Sequence, residues 1–118
     1  MSANPRSQRL IAYTSSAAGQ SNAFTCPANS VTLIKSAYFE NTSASSVEAI
    51  LQVDASPSGT FVRLFDQTLP TNTVANWQGW AVLNPGDLVL VVVSAAGIHG
   101  WVSGAVLTGP PPFPPVDQ

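Results

Sequence analysis

Turn-forming clusters cut this chain into pieces too short for ordinary helices. "PANS" (Pro27–Ser30), "NTSASS" (Asn41–Ser46), "ASPSG" (Ala55–Gly59), "PTN" (Pro70–Asn72), "LNPGD" (Leu83–Asp87) and "AAG" (Ala95–Gly97) punctuate it from end to end. Between them lie short runs rich in β-branched and aromatic residues, with no helical period. Turn signals at a spacing of ~8–12 residues are the mark of a sandwich or barrel. The runs read as strands over Gln8–Thr14, Asn22–Cys26, Val31–Asn41, Val47–Asp54, Thr60–Phe65, Gln67–Leu69, Val74–Val82, Leu88–Ala95 and Ile98–Leu107. In Val47–Asp54 the alternation is explicit: Val47, Ala49, Leu51 and Val53 belong to a core face, and Glu48, Ile50 and Gln52 to the other. In "LNPGD", Pro85 and Gly86 suit the central positions of a type II turn.

Eight or nine such strands in 118 residues predict one all-β domain, a compact antiparallel β-sandwich of jelly-roll type. The tail "GPPPFPPVDQ" cannot join a sheet, because proline donates nothing to a ladder, so it reads as an extended polyproline-II arm. The expected division is an N-terminal arm and first strand over 1–20, the sandwich over 21–108, and the Pro-rich arm over 109–118.

Within that frame Leu88–Val93, "LVLVVV", does not alternate. A strand with one wet face should, so both faces of this one call for cover. One face has the sandwich core; the other is read as a contact between copies. Leu88, Leu90 and Val92 are its candidate residues, joined by the aromatics Trp77 and Trp80 of "NWQGW" and by Phe113 of the arm, which would drape over a neighbour. The wider stretch Leu88–Leu107 carries no charge, but glycine, serine and His99 interrupt it, so it does not read as a membrane span. Nor does the opening "MSANPRSQRL" read as a signal peptide.

Charge and chemistry point the same way. Only 8% of residues are charged, far below the usual ~25%, which favours a chain packed among other subunits. Arg6, Arg9, Lys35 and Arg63 are scattered and build no phosphate-binding patch, so no nucleic-acid partner is expected. Cys26 is the single cysteine and reads as a small buried hydrophobe. Glu40, Glu48, Asp54, Asp66, Asp87 and Asp117 show no calcium-loop spacing, and one cysteine with one histidine makes no metal cage. No catalytic residue, metal or cofactor is expected. An enzyme would need His99 within hydrogen-bonding reach of a carboxylate in a cleft. Trp77 and Trp80 lie three apart, hence on opposite strand faces unless Gly79 makes a bulge, with one in the core and the other exposed. Trp101, beside Val102, reads as core. The alternative function is a carbohydrate-binding module in which Trp77 or Trp80 stacks on a host glycan.

Two segments, "FTCPANSVTLIKSAYFENTSASSVEAILQV" and "LPTNTVANWQGWAVLNPGDLVLVVVSAAGIHGWVSGAVL", resemble small β-sandwich structural proteins of tailed bacteriophages. The resemblance runs from Phe24 to Leu107 and is carried by Pro27, Ala28, Asn29, Asn41, Thr42, Ser43, Leu83, Gly86, Asp87, Ser103 and Gly104. It implies a non-enzymatic virion protein, of the tail, minor-tail or decoration type, assembled in the bacterial host cytoplasm. Its expected partners are its own copies, as a trimer, and other virion proteins. It transfers no catalytic residue.

Overall fold

In the computed structural model residues 8–15, 17–19, 21–55 and 61–108 are described. They form eight strands: β1 (Gln8–Thr14), β2 (Ser21–Thr25), β3 (Ser30–Asn41), β4 (Val47–Asp54), β5 (Phe61–Leu69), β6 (Thr73–Leu83), β7 (Leu88–Val93) and β8 (Ile98–Thr108). The strands build two four-stranded sheets, ordered β1-β8-β3-β6 and β2-β7-β4-β5, and every pairing is antiparallel. The first strand pairs with the last and the second with the second-to-last, in opposite sheets. This nesting is the double Greek key of a jelly roll, the architecture expected from the turn spacing. Through its pairing with β8, β1 is a full member of the first sheet.

Each sheet buries one face. In β4 the core residues Val47, Ala49 and Leu51 alternate with half-buried Glu48, Ile50 and Gln52, as the period of two dictates. Val89, Val91 and Val93 of β7 face them from the neighbouring strand. From the opposite sheet come Ile11 and Tyr13 of β1, Ile34, Ala37 and Phe39 of β3, and Ile98 and Val102 of β8. Phe39 and Phe65 meet across the gap with ring centroids 5.6 Å apart.

Several strand ends differ from the sequence reading by one or two residues, and one division differs outright. The turn signals predict Thr60–Phe65 and Gln67–Leu69 as separate strands; Phe61–Leu69 is a single strand, and Thr60 lies outside the described residues. The cause is a register shift against β4, where Leu51 pairs with Phe65 but Gln52 pairs with Arg63. Leu64 is the extra residue, and it breaks the alternation that would have joined the two pieces.

The first sheet carries a line of register shifts at one level: between Arg9 and Ile11 in β1, and between Ile34 and Ser36 in β3 against both of its neighbours. Opposite Lys35, β6 places two residues, Gly79 and Trp80. At this level β8 contributes Gly104, where a Cβ would lie 1.9 Å from the Leu33 carbonyl oxygen. Only glycine lets the two backbones approach so closely.

The two ends of the sandwich are closed by polar networks. At one, the fully buried Asn41 donates from Nδ2 to the carbonyls of Ser45 and Leu69 (both 2.8 Å) and accepts at Oδ1 from Ser43 N (2.9 Å) and Ser43 Oγ (2.7 Å). Its side chain holds the "NTSASS" loop in place. Gly97, at φ 109°, sits so close to Ser43 that a Cβ would come within 2.5 Å of it. At the other end, Asn84–Asp87 forms the expected turn, with Gly86 at φ 90° and Asp87 N donating to Asn84 O at 3.0 Å. Cys26 is buried there: Thr32 Oγ1 lies 3.2 Å from its sulfur and the Leu83 carbonyl 3.4 Å.

Candidate assembly surfaces

The outer face of the second sheet holds the sequence candidates Leu88, Leu90 and Val92. They lie on β7, an interior strand flanked by β2 and β4. Strand pairing sets Ile50 beside Val92, Gln52 beside Leu90, and Asp54 beside Leu88. On β5 the same rows end in Asp66, Arg63 and Phe61. The centre of the face is therefore an apolar patch of Leu88, Leu90, Val92 and Ile50 with a polar rim. All four are half-buried: neighbours in the sheet cover their flanks, and part of each side chain still meets solvent.

The rim carries the charge. Arg63 and Asp66 form an ion pair at 2.6 Å. Glu48 lies on the same face, and the Asp66 carboxylate holds its pKa above the ordinary value, first by accepting a hydrogen bond from it and then by opposing its charge.

The outer face of the first sheet is aromatic. Trp101, expected in the core, is instead half-exposed here, because the parity of β8 that buries Ile98 and Val102 turns Trp101 outward. Its ring stacks on Tyr38 with centroids 4.9 Å apart, and the Arg9 guanidinium lies 4.5 Å from its centroid. His99 pairs with Glu40 and Thr14 one row further along the same face. That pair sits on a sheet face and not in a cleft.

Trp77 and Trp80 do fall on opposite faces. Trp77 points inward and packs against the core, whereas Trp80 is 69% exposed. Trp77 is therefore withdrawn from any glycan platform. Lys35 Nζ lies 5.6 Å from the Trp80 ring centroid, and Lys35, Ser36, Gln78, Gly79 and Trp80 line a shallow open depression. Each described cation thus has a company of its own: Arg9 with Trp101, Lys35 with Trp80, Arg63 with Asp66. Phe113, Arg6 and Asp117 lie outside the described residues.

The sequence reading missed the most exposed large apolar side chains. Besides Trp80 these are Val74 and Val82 on β6, and Phe61 and Val62 on β5. Both strands are sheet edges, and they meet along one side of the sandwich. The β6 alternation Val74, Asn76, Gln78, Trp80, Val82 is a readable signal, obscured because its inward set is also apolar. Among the described residues no three of His, Cys, Asp and Glu gather where they could hold a metal ion, and no helix is long and apolar enough to cross a membrane.

The sandwich is similar to that in two solved structures of viral particles. A chain of the T13 IBDV viral particle superposes with a TM-score of 0.56 at 14% identity, over 88% of this chain and 31% of that one. A chain of infectious bursal disease virus, Gx strain, superposes with a TM-score of 0.55 at 18% identity, over 96% of this chain and 35% of the other. This protein spans about a third of the length of each. At such identities the likeness concerns the sandwich alone. No family model matches the sequence, and no curated protein matches it.

Proposed function

We propose that this protein is a non-enzymatic structural component of a virion, of the tailed-bacteriophage type that its residue pattern resembles. Copies associate with one another, as a trimer, and attach to the particle, with the tail or tail tip placed ahead of the capsid surface. The observation that carries the reading is the jelly roll itself: its likeness to chains of a viral particle extends over nearly the whole protein. The low charge content and the half-buried apolar patch of Leu88, Leu90, Val92 and Ile50 support an assembled state. Its mechanism is contact: apolar surface removed from water contributes ~25 cal/mol per Å².

The test is immunogold electron microscopy of purified particles with antibody to this chain. Label at a fixed place on the particle supports the proposal; chain abundant in infected-cell lysate with no label on particles overturns it. Introducing a charge at the patch, Leu90→Asp, should lower the mass of the assembled species threefold in light scattering, because a buried unpaired carboxylate is far costlier than an exposed one. An unchanged mass would exclude this face as the trimer contact.

One observation favours a second reading, recognition of a host glycan. Trp80 is exposed beside the polar groups of Lys35, Ser36 and Gln78, an arrangement suited to stacking on a sugar ring. A glycan-array signal abolished by Trp80→Ala supports it, and a silent array with the unmutated protein ends it.

A further inference from the structure

The four sheet edges are not equally guarded. An edge strand offers unpaired N–H and C=O groups, and proteins blunt it with charge, proline, shortness or a bulge. β1 carries Arg9 and a register shift at Leu10; β2 has only five residues; β5 carries Arg63 and Asp66 and a register shift at Leu64. β6 is eleven residues long, "TVANWQGWAVL", with no charged residue and no proline. Like β1 and β5 it has a register shift, Gly79 and Trp80 together facing Lys35, but its exposed and half-buried residues alternate unbroken from Thr73 to Val82. It also displays Val74, Trp80 and Val82, each more than half exposed.

We infer that β6 is a self-pairing edge: a second copy of this chain adds its own β6 antiparallel across a two-fold axis at Gln78, joining two four-stranded sheets into one of eight strands. The ends of the stretch "VANW-Q-GWAV" are symmetric about that residue, valine with valine and alanine with alanine. With Gln78 opposite itself, Val74 meets Val82, Asn76 meets Trp80, Ala75 meets Ala81 and Trp77 meets Gly79. Outward residues thus meet outward residues, and every large side chain meets a small or polar one or a fellow valine. The strand bears no charge, so two copies meet without repulsion. Nine paired residues extend about 30 Å and form about eight to ten backbone hydrogen bonds. The contact is isologous, as two-fold symmetry requires, and lies on a different surface from the Leu90 patch. It is independent of a virion role and adds to a trimer built on the other sheet.

Light scattering on the full chain gives the first measure: an even number of copies, whose mass halves in Gln78→Lys, where like charges would face each other on the axis. Thr68→Lys, on the guarded β5 edge, keeps the mass. Circular dichroism of Gln78→Lys should match the unmutated chain, since Gln78 is exposed. Gln78→Cys supplies a second readout: mild oxidation or a short bismaleimide should link two chains, whereas Asn76→Cys alone should not self-link and should link to Val74→Cys no better. The buried Cys26 does not interfere. A monomer or an odd-numbered species at about 100 μM, a mass unmoved by Gln78→Lys, or absence of the Gln78→Cys link would each overturn the inference. Loss of mass in Leu90→Asp alone would leave this edge to be judged by the Gln78 variants, so the two surfaces fail separately.

Discussion

Replacing Asn41 by alanine should cost about 3–4 kcal/mol. The side chain is fully buried and makes four hydrogen bonds, two as donor and two as acceptor. The bond to the Leu69 carbonyl is itself buried, so its loss strands an acceptor at about 1–3 kcal/mol. The other three are nearer solvent; at about 0.5–1 kcal/mol each, and with water replacing part of them, they add the remainder. Such a loss is a large share of the ~5–15 kcal/mol that holds a domain together. Urea denaturation followed by tryptophan fluorescence should show the midpoint falling by about 1.5–2 M at unchanged slope. Asn41→Asp sharpens the test. Both bonds from Ser43 survive, but a carboxylate oxygen now faces the Ser45 and Leu69 carbonyls, which oppose its charge. The folded-state pKa of the introduced carboxyl is then raised. Its deficit should exceed that of Asn41→Ala at pH 7 and shrink as pH falls through that raised pKa, where the protonated oxygen donates again. A cost below about 1 kcal/mol for Asn41→Ala, or an Asn41→Asp variant indifferent to pH, would refute the claim that this side chain fastens the loop.

Gly104→Ala should destabilise by about 3 kcal/mol or more, because the methyl group would overlap a backbone oxygen that no rotamer change can move; thermal melting reads this, and a near-neutral result would mean that β3 and β8 can part at no cost. The Glu48 pair predicts a pH effect of definite sign. Since Asp66 raises the folded-state pKa of Glu48, its contribution to stability is fully present below the ordinary value of 4.5 and is lost as pH rises through the raised one. Glu48→Gln should therefore be relatively more stable than the parent at neutral pH, with the difference closing on acidification; parallel melting-temperature profiles would contradict it.

Several of the residues that carry the phage-protein resemblance are, in the structure, residues of turns and close approaches. Asn41 and Ser43 form the closing network at one end. Gly86 and Asp87 form the turn at the other, and Gly104 admits β3 beside β8. Such a pattern encodes the sandwich more directly than any task, which is why the fold was legible and the function less so. Apart from the one at Gly79, where the glycine itself offered a bulge, the register shifts were not legible. A single extra residue such as Leu64 inverts the side-chain parity of the strand beyond it, and nothing local announces it. For Trp101 the signal was present but outvoted, since its strict alternation with Val102 already placed it on the other face.

By itself the sequence determined that the chain is all-β, where nearly every strand begins and ends, and which face of β4 is buried, because backbone turn chemistry and a period of two are local properties. Only the tertiary structure decided which strands lie at the edges and which within the sheets. The apolar run of β7 called for cover on both of its faces but said nothing of its neighbours in the sheet; β7 lies inside its sheet with two of them, while the less apolar β6 stands at an edge with valines and a tryptophan in water. Edge or centre is a property of pairing between distant segments, and hydrophobicity along one segment does not contain it.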